Sequence, residues 1–298
     1  MEIRLDNSAT PFSLEHTLRC GQLFRWEKVG DWWYGVVADR VLKLREIGNR
    51  LFFQGFPEAV NQRFIETYLR LDDDLPNILF EISRDKYVKK AAKLFYGLRI
   101  SRQDPWECLI SYICATYKNI PAIKKMIYNI SQRFGNKISF DGYDFYTFPK
   151  APDLAQTSIN DLRSCGLGFR AERLLETAKI LDRGDISLET LKSLDYGDAK
   201  RILLSLPGVG PKVADCILLF SLEKLEAFPV DIWMKRAATT FYASHFDSSF
   251  VNRVSSKGSI SQKEYETINC FGRKYFGKYA GYAQEYIFHL LRKQKSQI

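Results

Sequence analysis

Histidine is scarce in this chain of 298 residues: His16, His245 and His289 are the only three, and they lie far apart. They cannot assemble a His-based metal motif. The six cysteines, Cys20, Cys108, Cys114, Cys165, Cys216 and Cys270, form no CxxC pair. That excludes the usual zinc and dithiol redox spacings. Scattered thiols in apolar surroundings read as free groups in a reducing compartment. Hydrophobic residues make up 46% of the chain, yet no apolar run reaches the roughly 20 residues needed to span a bilayer. The opening MEIRLDNSATPF lacks the basic-then-apolar order of a signal peptide. An intracellular location is therefore expected: cytoplasm or nucleoid in a prokaryote, nucleus in a eukaryote. Acid is in deficit, with 35 Asp and Glu against 44 Lys and Arg, a net charge of +9. Such a surplus suits a polyanionic partner, though many soluble proteins share it. Internal repeats, low-complexity tracts and heptads are also lacking, and a monomer is expected.

What is present changes character near residue 101. Before it, short aromatic and β-branched runs (QLFRW at 22–26, DWWYGVV at 31–37, VLKLR at 41–45, LFFQ at 51–54) alternate with Gly, Asp and Asn turns. They predict an antiparallel sheet of four or five strands. Helices are expected over 61–71 and 85–96. From Arg102 the pattern is helical. Asp104-Pro105 places an N-cap before Pro at the first helical position. Trp106, Leu109, Ile110, Ile113 and Cys114 then recur at helical spacing. Further helices are predicted at 120–134, 161–165, 171–183, 231–244, 262–272 and 280–293. The fold class is α+β, with a sheet domain over 1–101 and an all-helical body over 102–298.

The most informative segment is LLSLPGVGPKVADCILLFSLEKLEAFPVD, residues 203–231. It predicts a helix-hairpin-helix at about 199–222. Gly208 and Gly210 let the backbone turn sharply and approach a ligand. The amides opening the second helix lack intrahelical partners and form an anion site suited to a DNA phosphate. PGVG alone fits a plain turn equally well. Lys212 sits among Val209, Val213, Ala214, Cys216 and Ile217, and an unprotonated amine in such company is a nucleophile. Its bland alternative is a surface Lys pairing with phosphate. Asp231, after Phe228-Pro229-Val230, reads as a helix N-cap. One of its oxygens can cap while the other faces a site, where an ionised carboxylate stabilises a cationic sugar.

LPGVGPKVADC followed by PVDIW resembles the helix-hairpin-helix plus Gly/Pro-Asp superfamily of base-excision glycosylases. Four more segments, CGQLFRW (20–26), RQDPWECLISYIC (102–114), CGLGFRAERL (165–174) and YAQEYIF (282–288), make the chain similar to 8-oxoguanine DNA glycosylases of the eukaryotic-like type. The resemblance covers most of the chain in the same order. It implies a bifunctional glycosylase and AP lyase acting on double-stranded DNA that carries oxidised guanine. Lys212 is the implied nucleophile and Asp231 its carboxylate partner. Gly21 is implied to offer its carbonyl to the lesion's N7–H, Gln284 to bond its Watson–Crick edge, and Phe288 and Cys216 to sandwich its faces. By themselves Phe288 and Cys216 read as core, and Gly21 as a turn before a strand. Phe169 resembles the wedge that fills the duplex, and Arg170 a reader of the orphaned opposite base. No cofactor is required. Carbonyls around Leu206 and Val209 are implied to hold a structural monovalent cation. With Cys270 alone near the C-terminus, no iron–sulfur cluster is expected.

The chain departs from that pattern at 115–122, ATYKNIPA, where relatives strict for cytosine carry an Asn triplet and a nearby Arg. Only Asn119 of the triplet remains, and Ala122 holds the Arg position. Weaker opposite-base discrimination is expected. Trp233 stands where relatives often carry His, which alters the phosphate contacts there. Two other readings remain at this point. A monofunctional alkylbase glycosylase would not need Lys212, and a noncatalytic helix-hairpin-helix DNA-binding protein would need neither Lys212 nor Asp231.

Overall fold

A computed structural model describes residues 1–6 and 9–295. Strands β1 (Glu2–Arg4), β2 (Trp26–Val29), β3 (Trp32–Val37), β4 (Arg40–Ile47) and β5 (Arg50–Phe56) form one antiparallel sheet in the order β1-β5-β4-β3-β2. Alternation along β4 shows why: Leu42 and Leu44 face one side, Val41 and Lys43 the other. The first face buries Trp26, Trp33, Leu42, Leu44, Leu51 and Phe53 against Leu14, Leu18 and Ile65 from the helices Leu14–Arg19 and Gln62–Tyr68. Gly35 lies opposite Trp26, and a Cβ there would stand 2.3 Å from the indole. Only glycine fits that register.

The second face is covered by a hairpin from the body, β6 (Lys137–Phe140) and β7 (Tyr143–Tyr146). Phe140 stacks on Phe56 at 4.9 Å and Phe145 on Tyr34 at 5.9 Å. Lys43 pairs with Asp141 at 2.5 Å. The helical body thus contains one β-hairpin that the helical pattern after Arg102 did not anticipate. Its turn, Asp141-Gly142, has positive φ at both residues (52° and 79°), as a type I′ turn requires.

The remaining helices share a larger core. The helices Leu75–Ile82 and Lys86–Leu94 contribute to it, together with Leu109, Ile113, Ile217, Ala283 and Tyr286. Buried Arg99 ties the sheet half to this body. Its Nε donates to Pro11 O at 3.0 Å and its Nη1 to Asp73 O at 3.0 Å and to Arg70 O. The helices Tyr196–Leu204 and Pro211–Ser221 form the helix-hairpin-helix. Among the described residues no helix is long and apolar enough to cross a membrane.

Candidate active site

The hairpin turns on Gly208, whose φ of +84° only glycine adopts without strain. Thr177 Oγ1 donates to Pro207 O at 2.9 Å and holds the turn against the Arg170–Asp182 helix. The second helix opens on Gly210 with Pro at its first position and no side-chain cap. Its first amides keep their affinity for an anion. Leu206 O accepts the Val209 amide at 3.1 Å.

Lys212 extends from the first turn of that helix. It is half-buried, with Nζ 4.9 Å from the centre of the Tyr112 ring. Cys216 lies one turn on, buried beside Lys212. Burial pushes its thiol up to about 12, which keeps it neutral and leaves it as an apolar wall. Asp231 caps the Ile232–Thr240 helix. Its Oδ1 accepts both the Trp233 and Met234 amides at 2.9 Å, so capping does not consume Oδ2. Burial pushes the Asp231 carboxyl above its ordinary range, opposed by the Met234 amide and by Lys212. Protonation is therefore nearer at hand than capping alone implies.

Gly21 has φ +111°, and a Cβ there would meet Arg292 Nη1 at 2.3 Å and the Phe288 ring at 3.2 Å. Gly21 and Phe288 thus face each other with no room for a side chain between. Gln22 anchors this segment: its amide nitrogen donates to Arg99 O at 2.8 Å and its Oε1 accepts the Ser101 amide at 2.9 Å. Arg292 Nη1 donates to Cys20 O at 2.7 Å, and Tyr112 OH reaches Gln22 O at 3.4 Å. Tyr112 therefore touches both Lys212 and the Gly21 segment. Gln284 and Phe288 lie one turn apart on the Ala280–Lys295 helix. Gln284 is buried with Oε1 unpartnered, an orphan acceptor where a base edge is expected.

Sequence reasoning missed Glu285, whose signal was an acid in the otherwise apolar YAQEYIF run. It is buried beside the Cys20 thiol and within the fields of Asp231 and Lys212. Burial pushes its carboxyl from 4.5 up to about 7. As pH rises between these values, the unfolded chain loses this proton first and the folded protein loses stability, by about 3 kcal/mol in total. Glu285→Gln should raise the melting temperature above pH 7 and not near pH 4.5. A parallel pair of melting curves across that range would refute this.

The DNA-facing expectations divide. Phe169 is 51% exposed, with the Arg170 and Arg173 guanidiniums 4.3 and 5.3 Å from its ring centre. Arg170 turns inward. It is 3% exposed, and its guanidinium donates to Leu167 O and Thr116 O, so it braces the 115–119 loop. Arg173, one turn on and exposed, is the available cation. Asn119 spends its Oδ1 as the N-cap of the Ile120–Phe134 helix, accepting from the Ala122 amide at 3.0 Å. Tyr117 projects from that loop, 88% exposed at φ +55°. Trp233 is half-buried with the Arg236 guanidinium 5.4 Å from its ring centre.

Residues 4–109 match the 8-oxoguanine DNA glycosylase N-terminal domain, and 110–250 the HhH-GPD superfamily of base excision DNA repair proteins. The N-glycosylase/DNA lyase of Saccharomyces cerevisiae is 32% identical over 92% of this chain and 82% of its own. The chain belongs to the 8-oxoguanine DNA glycosylase family. The Arabidopsis thaliana N-glycosylase/DNA lyase is 30% identical over 94% of this chain and 77% of its own. The Clostridium acetobutylicum 8-oxoguanine glycosylase/lyase, solved with duplex DNA holding cytosine opposite 8-oxoG, superposes with a TM-score of 0.84. It is 35% identical, covering 95% of this chain and 93% of that one. In this chain Lys212, Asp231 and Cys216 lie together, and Gly21 packs against Phe288.

Proposed function

We propose that this glycosylase excises 8-oxoguanine from duplex DNA through a Schiff base on Lys212, then cleaves the strand by β-elimination. The observation that carries this reading is the meeting of Lys212, Asp231 and neutral Cys216 beside Tyr112. The lesion must leave the stack first, since C1′ is inaccessible within a duplex. The hairpin amides hold a phosphate, and Phe169 fills the vacated space. Gly21 presents its carbonyl to the N7–H that oxidation creates. The N7 lone pair of guanine would be repelled there, which discriminates two bases of almost the same shape.

Lys212 Nζ attacks C1′ as the glycosidic bond breaks, and the base leaves with the bonding pair and takes up a proton that Nζ sheds. Asp231, ionised, stabilises the positive charge that builds on the sugar. Opening of the sugar ring gives the Schiff base between Nζ and C1′. Loss of a C2′ proton then expels the 3′ phosphate, leaving the unsaturated sugar on Lys212 until water releases it. Borohydride added during reaction with an oxidised-guanine duplex should trap the protein on DNA. Absence of any covalent species from the wild type would overturn this reading.

The opposite-base choice is relaxed. Asn119 is committed to its cap, Arg170 to the Thr116 carbonyl, and Tyr117 offers only an aromatic face. Stacking accepts any base. Single-turnover excision opposite cytosine and opposite adenine should therefore agree within about fivefold. A preference for cytosine of a hundredfold would contradict it.

A further inference from the structure

Asp215 follows Lys212 by nearly one turn on the same helix and is fully buried. Its carboxylate accepts from Tyr265 OH at 2.5 Å, Tyr196 OH at 2.6 Å, Lys200 Nζ at 2.8 Å and Asn269 Nδ2 at 3.1 Å. So many donors on one buried acid are costly to assemble and leave it with a fixed geometry. The same donors also reach the chain that leads to Asp231. Asn269 Nδ2 donates to Phe228 O at 2.8 Å, and Tyr265 OH accepts the Val230 amide at 3.3 Å. Tyr265 OH also stands 3.2 Å from Pro211 O, the carbonyl immediately before Lys212. With one proton to give, the hydroxyl favours Asp215, the nearer acceptor, and its oxygen remains for Val230. Gly272 lets Phe228 pack in, since a Cβ there would lie 2.5 Å from that ring.

We infer that Asp215, Tyr265 and Asn269 are positioning residues: they clamp the Phe228–Val230 segment to the Lys212 helix and so set the separation of Lys212 and Asp231. None of the three touches the reacting atoms. The two backbones come from different parts of the chain, and the Tyr265 hydroxyl lies within hydrogen-bond reach of both. A misplacement of about 1 Å at a reacting pair can cost on the order of a hundredfold in rate. This inference rests on the proposed pairing of Lys212 with Asp231.

Tyr265→Phe tests it, because the ring stays and only the hydroxyl goes. Base release at saturating enzyme should fall about tenfold, with the Kd for an uncut lesion duplex unchanged. In an Asp231→Asn background the same change should cost less than about twofold, because the clamp then has no carboxylate to place. Asp215→Asn should behave likewise where it folds. An unaltered rate in folded Tyr265→Phe would overturn the clamp, as would a loss matched by the fall in folded fraction. Full multiplication of the two effects in the double variant would overturn it too. Borohydride trapping by the wild type, run alongside, reports separately on the proposed chemistry.

Discussion

Lys212→Gln should abolish borohydride-trapped protein–DNA species and lower base release by roughly ten-thousand-fold. Gln keeps most of the stem length and a polar tip but has no amine to form a Schiff base. Lys212 is half-buried on the first turn of its helix, with its charge over the Tyr112 ring. Losing that contact costs about 1 kcal/mol of stability, so the variant should remain folded at assay temperature. The hairpin amides that bind phosphate are backbone groups and survive the change. Duplex affinity should stay within about threefold, with a nearly unchanged salt slope. Residual base release would come from water attack assisted by Asp231, and it would give no trapped adduct. Persistent trapping by Lys212→Gln would assign the nucleophile to another amine. Loss of binding in parallel with excision would instead make Lys212 a phosphate contact, the bland reading of its position.

The hairpin was legible because its punctuation is local. Pro207, Gly208, Gly210 and Pro211 each dictate backbone geometry where they stand, and the positive φ of Gly208 follows. The alternation in β3 to β5 was legible for the same reason. The hairpin at 137–146 was missed although Asp141-Gly142 is a strong turn signal, because its flanking strands are only four residues each within a helical stretch. Arg170 shows a deeper limit. Beside an exposed Phe169 it reads as a cation aimed at DNA, but the acceptor that turns it inward is Thr116 O, 54 positions away. Glu285 and the donors around Asp215 share that difficulty. A buried acid in a helix announces itself only as an interruption of the apolar pattern, and its partners come from other helices.

Asp231→Asn separates the two duties of its carboxylate. Asn caps a helix about as well as Asp, so the Trp233 and Met234 amides keep an acceptor and the melting temperature should hold. The charge is lost, and with it the stabilisation of the sugar cation. Excision should fall about a hundredfold, the scale of removing one preorganised charge-stabilising group. The pH dependence gives the sharper signature. Burial raises the Asp231 carboxyl above its ordinary range, and only its ionised form supports the reaction. As pH falls through that raised value, wild-type excision should decline earlier than an ordinary Asp would permit. The acidic limb should be absent in Asp231→Asn. Glu285, pushed up to about 7 by burial and lying in the same field, is the other acid able to shape the limb. Glu285→Gln resolves the two. The Asp231 charge raises Glu285 and not the reverse, and Glu285 is neutral in the acidic range, so the limb should persist in Glu285→Gln. Single-turnover rates from pH 5 to 8 in both variants provide the check, and an unchanged acidic limb in Asp231→Asn would remove Asp231 from the reacting centre.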